Sequence, residues 1–186
     1  MALERNARGD RPRVAPSACL HPTATVIGNV VIGERVLIAP GAVLRADEPG
    51  PDGAVSPILI GDEANIQDGV VIHALGGTAV TVGNGSSISH RAILHGPCRI
   101  GPRCFVGFNS IVFNATLGDG VIVLHHALVE GVSVPDGLYV PAGSVIRAVA
   151  DAARLSPAPP DLVAFTERVR QMNLLLVAAA APRHSG

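Results

Sequence analysis

Three histidines, His73, His90 and His95, stand close together in the middle of the chain. Three neutral imidazoles with one position left open make the usual shell of a catalytic zinc ion. Any one of them, taken singly, is more often a structural or surface residue. What sets these apart is their company. Arg45 precedes them, then Gln67 and Asp68. Together these offer a guanidinium, an amide and a carboxylate beside the imidazoles. Whether the groups can meet depends on the framework that carries them.

That framework is written as a six-residue repeat. Leu20, Val26, Ile32, Ile38 and Leu44 keep the step; Ile60, Ile66 and Ile72 resume it. Val82, Ile88, Leu94, Ile100, Val106 and Val112 continue it. After one-residue slips come Leu117, Val123, Val129, then Val134, Val140, Ile146. Every one of these positions is Leu, Ile or Val. The residue four further on is usually small, as at Ala24, Ala42, Ala64, Ala92 and Cys98. Hexapeptide periodicity is the signature of a parallel β-helix, in which three short strands and three turns close one triangular coil. The expected fold is all-β: about six to seven coils, the aliphatic residue pointing to the axis. The repeat does not fix the hand of the coil.

Residues 1–14 look loose or lie along a partner, residues 15–150 form the repeat domain, and 151–186 hold a linker, helix and tail. Asp161 can N-cap a helix over about 161–180. Leu162, Phe165, Val169, Met172 and Leu176 follow helical spacing and give that helix an apolar stripe.

The repeat breaks twice, at a step of 16 from Leu44 to Ile60 and of 10 from Ile72 to Val82. Read as corner loops, these insertions leave Leu44, Ile72 and Leu94 on one face in successive coils. Arg45, His73 and His95 directly follow them and form an outward column, neighbours about 4.8 Å apart. Both loops flank that column. On the preceding face, Asp68, His90 and Phe108 form a second column, with Gln67 beside Asp68. His90 therefore leaves from a different face than His73 and His95 and can join them across a three-fold axis between subunits. His21, His125, His126 and His184 read as turn, surface or tail residues.

Composition narrows the class further. Lys+Arg number 14 against 15 Asp+Glu, a net charge of −1, so neither nucleic acid nor an anionic membrane is an expected partner. Hydrophobic residues make up 48% and aromatic residues 3%, so the chain is ordered around aliphatic side chains. No secretory signal opens the chain, and its three Cys are an odd number. A cytoplasmic protein with reduced thiols is expected, with Cys98 and Cys104 buried in the coil.

Val43-Leu44-Arg45-Ala46-Asp47-Glu48, Asn65-Ile66-Gln67-Asp68-Gly69-Val70-Val71-Ile72-His73 and Ser89-His90-Arg91-Ala92-Ile93-Leu94-His95-Gly96 resemble the gamma-class carbonic anhydrases. The stretch from Ser89 to Asn114, with Tyr139-Val140-Pro141-Ala142-Gly143-Ser144, is similar to the anhydrase-like domain at the N-terminus of the cyanobacterial carboxysome scaffold protein. The resemblance covers about residues 15–180 and implies a left-handed β-helix homotrimer. It implies Zn²⁺, with Fe²⁺ or Co²⁺ fitting the same donors, held at each interface by His73 and His95 of one subunit and His90 of the next. Gln67 would hydrogen-bond the metal-bound hydroxide, Arg45 would pair with Asp68 across the interface, and Asp47 and Asn65 would complete the polar network. Three neutral imidazoles leave the ion's charge near +2, so bound water ionises near pH 7 and can attack CO₂ to give bicarbonate.

Several departures stand out. Acidic residues that the archetypal members carry after the first His are absent from Ala74-Leu75-Gly76-Gly77-Thr78-Ala79-Val80. Glu48 is then the candidate proton shuttle. On the C-terminal helix Asn173 matches a pocket Asn of the family, and Gln171 falls where the archetype has Tyr. The scaffold's Rubisco-like repeats and paired C-terminal Cys have no counterpart. The alternatives are a non-catalytic anhydrase-like scaffold or assembly subunit, with a carboxysome-like partner, and a hexapeptide acyltransferase or thioesterase relative.

Overall fold

A computed structural model describes residues 2–180. The chain winds as a left-handed parallel β-helix of about seven turns, closed by a C-terminal helix. Three sheets, of eight, seven and eight strands, form the faces of the prism. The first sheet carries the strands Val43–Ala46, Val71–Ala74 and Ile93–Gly96 in neighbouring coils. The third carries Asn65–Ile66, Ser87–Ile88 and Phe105–Val106.

The six-residue step sets the register. Leu44, Ile72, Leu94 and Val112 are aligned partners in four successive strands. All four are fully buried. Each such aliphatic side chain contributes about 1.5–3 kcal/mol by leaving water. Cys98 and Cys104 are buried among them, and burial pushes both thiols up to about 12. Both insertions are corner loops. His126 turns a corner with a left-handed backbone, φ 56°, and His21 is exposed.

The ends differ from the sequence expectation in several respects. The segment 1–14 is not loose throughout. Ala2–Glu4 pairs in parallel with Thr25–Ile27 and extends the first sheet, and Arg13–Val14 pairs with Val31–Ile32. Leu3 and Val14 pack against the core; Val14 stands one six-residue step before Leu20, where the count began, and Leu3 lies out of step with it. The linker after 150 is ordered too. It holds a short helix, Val149–Ala152, and a strand, Ser156–Pro157, that pairs antiparallel with Leu138–Tyr139.

The long helix spans Pro160–Ala180. Asp161 lies within its first turn rather than capping it, because Val163 N already donates to Pro159 O at 3.0 Å. Proline suits a first turn, where its missing N–H costs nothing. The helix lies along the third sheet of its own prism, near Leu37–Ile38 and Ser87–Ile88. Its apolar stripe is covered only in part, since Phe165, Met172 and Leu176 remain exposed. Its buried residues are Asn173 and Val177. Arg170 pins it, with Nη1 2.7 Å from Glu63 Oε2 on a turn of the coil. The segment 181–186, including His184, lies outside the described residues.

Candidate functional site

The first sheet aligns Arg45, His73 and His95 as register partners. Their side chains alternate outward because the residues on either side of each point to the axis or the adjoining corner. His73 is buried, flanked by the two corner loops, and His95 is half-buried. His73 Nδ1 faces His95 Nε2 at 3.3 Å. The other nitrogen of each ring is engaged. His95 Nδ1 lies 3.2 Å from the carbonyl oxygen of Gly96, which can only accept, so that nitrogen carries the hydrogen. His73 Nε2 lies 3.2 Å from Asp47 Oδ1 and 3.4 Å from Glu48 Oε1.

Arg45 adds a third partner for the same nitrogen. Its Nη2 is 3.2 Å from His73 Nε2, and its Nη1 is 3.5 Å from Asp47 Oδ2. Two proton arrangements satisfy this set. In one, Arg45 donates to His73 Nε2, and His73 Nδ1 donates to His95 Nε2. In the other, His73 Nε2 donates to Asp47, and two lone pairs face each other across 3.3 Å. The second requires a cation between the rings. Two nitrogens each 2.0–2.1 Å from one tetrahedral ion stand about 3.3–3.4 Å apart. The donor set and spacing therefore fit a divalent metal.

Glu48 is exposed and joins the two insertions: its Oε2 accepts from Gly76 N at 3.2 Å. The loops touch closely here. A Cβ built on Gly76 would stand 2.3 Å from the Pro49 carbonyl oxygen, so only glycine fits.

His90 leaves from the third sheet, as the two-column reading requires. It is exposed and does not meet His73 or His95 within the chain. Its Nδ1 is 3.0 Å from Asp68 Oδ2, which leaves Nε2 open. A carboxylate on the far nitrogen is the arrangement that fixes the tautomer of a metal-binding imidazole. Phe108 leans on the His90 ring with centroids 5.2 Å apart, and His125 stacks on Phe108 at 4.3 Å and 11°. Among the described residues, no single-chain group of three or more His, Cys, Asp or Glu side chains could hold a metal. Arg45 and Asp68 lie on different columns and are not paired within the chain.

Gln67 sits beside His90, half-buried under the long helix. Its Nε2 donates to Asn65 Oδ1 at 2.9 Å and to Asn173 Oδ1 at 2.8 Å. A small cavity of about 190 Å³ adjoins it, walled by Phe105, Phe108, Phe165 and Met172. Gln171 faces away from this cavity's polar corner and donates to Glu167 Oε1 at 3.0 Å.

Sequence reasoning missed an apolar stripe. Val43, Val71, Ile93, Ile111, Leu128 and Val145 are register partners, one per coil, two residues before the Arg45 column. Val71, Ile93, Ile111 and Val145 are 37–57% exposed. The signal was present: each stands directly before an axial aliphatic.

No family-level sequence model matches the chain. It is 42% identical over 174 residues to the carboxysome assembly protein CcmM of Nostoc sp., covering 88% of this chain and 30% of that protein. It is 35% identical over 169 residues to a carbonic anhydrase of Methanosarcina thermophila, covering 81% of this chain and 66% of the other. The chain thus spans under a third of the first relative and about two thirds of the second. Among solved structures, a hexapeptide transferase family protein from Anaplasma phagocytophilum superposes with a TM-score of 0.79 at 27% identity, covering 96% of this chain and 98% of that one.

Proposed function

Because the chain belongs to the gamma-class carbonic anhydrase family, we propose that it catalyses the reversible hydration of CO₂ to bicarbonate as a homotrimer. Zn²⁺ is held at each interface by His73 and His95 of one subunit and by His90 of the partner subunit, with Fe²⁺ or Co²⁺ as substitutes. The ion supplies the Lewis acidity that makes water nucleophilic near neutral pH.

One observation carries this reading: two imidazole nitrogens face each other at 3.3 Å, each ring held from behind by an oxygen acceptor. The third imidazole, with its own carboxylate, waits on another face. The exposed aliphatic stripe beside the His73 column supports the trimer, since a second copy would cover it. Around the ion, Gln67 accepts a hydrogen bond from the reacting oxygen, and Arg45 pairs with Asp68 of the partner subunit. Asn65 and Asn173 orient Gln67. Glu48, beside His73 at the mouth of the loops, carries the proton out.

The test joins metal analysis to stopped-flow CO₂ hydration. Purified protein should hold about one zinc per chain and hydrate CO₂ with a rate that rises with pH through the water pKa. His95→Ala should lose metal and rate together. A metal-loaded trimer that hydrates no CO₂ would overturn the catalytic reading.

The acid-free loop Ala74–Val80 and the similarity to CcmM favour a second reading, an assembly subunit without turnover. It keeps the trimer and metal and places function in a partner. An inactive, metal-loaded trimer that captures a carboxysome-type partner would select it. Acyl-CoA turnover insensitive to chelator would select the transferase relative instead.

A further inference from the structure

The long helix covers an outward column of the third sheet: Leu37, Asn65, Ser87, Phe105 and Ile122 are register partners. Apolar residues suit such a helix–sheet contact, and Leu37, Phe105 and Ile122 comply. Asn65 and Ser87 do not, although they are 1% and 2% exposed. Directly above them the helix buries an Asn, Asn173. A polar island in an apolar contact costs stability unless every member is hydrogen-bonded. These are. Among the described residues no buried side-chain nitrogen or oxygen lacks a partner.

The bonds run in one direction. Asn173 Nδ2 donates to the Val169 carbonyl at 2.8 Å. A carbonyl can only accept, so the Asn173 amide cannot be turned around. Its Oδ1 must therefore face Gln67, whose Nε2 donates at 2.8 Å. The same Nε2 donates to Asn65 Oδ1 at 2.9 Å, and Asn65 Nδ2 donates to Ser87 Oγ at 2.7 Å. Each amide fixes the next. Both Gln67 amide hydrogens are spent inside the chain, and Oε1 is presented to the site as an acceptor.

We propose that Ser87 is a positioning residue for Gln67. Its hydroxyl accepts from Asn65 Nδ2 and so anchors in place the Asn65 amide to which Gln67 donates, while the direction of the bonds is set at the other end by the Val169 carbonyl. The function assigned to Gln67 rests on the anhydrase reading; the hydrogen-bond order does not. Ser87 touches no reacting atom and acts through Asn65.

The experiment combines amide NMR with kinetics on the zinc-loaded trimer. In the wild type both Gln67 side-chain amide protons should exchange slowly. In Ser87→Ala, Asn65 Nδ2 loses its acceptor, the Gln67 amide protons should exchange measurably faster, and kcat should fall roughly tenfold with metal content unchanged. Ser87→Cys keeps the shape but offers a weak acceptor. It should show the same change in milder form, and it decides the matter should Ser87→Ala fail to fold. Unaltered Gln67 amide exchange and unaltered kcat in folded Ser87 variants would overturn the proposal. A wild type without CO₂ hydration would defeat the anhydrase reading alone, while amide exchange would still report on Ser87.

Discussion

Phe108 N donates to His125 Nδ1 at 3.0 Å, and the two rings stack. His125 therefore supports Phe108, which in turn leans on His90. That bond needs a bare Nδ1. Burial, and then the charge of His126, hold the His125 pKa below its ordinary 6.5. A folded state that binds this proton less readily than the unfolded chain gains stability above the ordinary value. The gain is lost as pH falls through 6.5 towards the lower folded value. The urea midpoint should thus drop between about pH 7.5 and 5.5, and His125→Asn, which keeps an acceptor oxygen, should drop less. Equal slopes would contradict the assignment. In the sequence His125 is only a turn residue, because the repeat gives no sign of what a turn residue stacks against.

The elements around the site show which features the repeat could reveal. The column Arg45–His73–His95 follows from step-counting, because register in a solenoid is arithmetic. The corner loops follow from breaks in the same count. What those loops do to each other does not, because their contact depends on backbone path rather than period. Gly76 shows this: the loop from Leu75 reaches Pro49 so closely that a single methyl would collide. Gly76→Ala should push the loops apart, release Glu48 from Gly76 N and lower CO₂ hydration. The thermal midpoint should move little, since the coil beneath is untouched. A fall in melting temperature with unchanged turnover would mean that the loop contact serves stability alone. The N-terminal strand and the ordered linker were illegible for a related reason, since Leu3 and Leu155 pack against the core out of step with the repeat.

Assembly governs the rest. Among the described residues no helix is long and apolar enough to cross a membrane. The exposed aliphatic stripe on the first sheet is the surface that the proposed trimer would cover. Ile111→Arg should leave the single chain folded, with stability within about 0.5 kcal/mol. It should sediment as a monomer and lose zinc, although no histidine has changed. A trimer that persists would remove the stripe from the interface. The proposed sharing of one metal shell between subunits admits a sharper test by complementation. His73→Ala and His90→Ala chains should each bind no zinc alone. Refolded together in equal amounts, they should recover about a quarter of the sites, because in every mixed trimer one interface unites an intact His73 with an intact His90. Metal analysis of that mixture measures the claim directly. Recovered zinc near a quarter of the wild-type content is the predicted result, and a mixture as empty as its parents would contradict it.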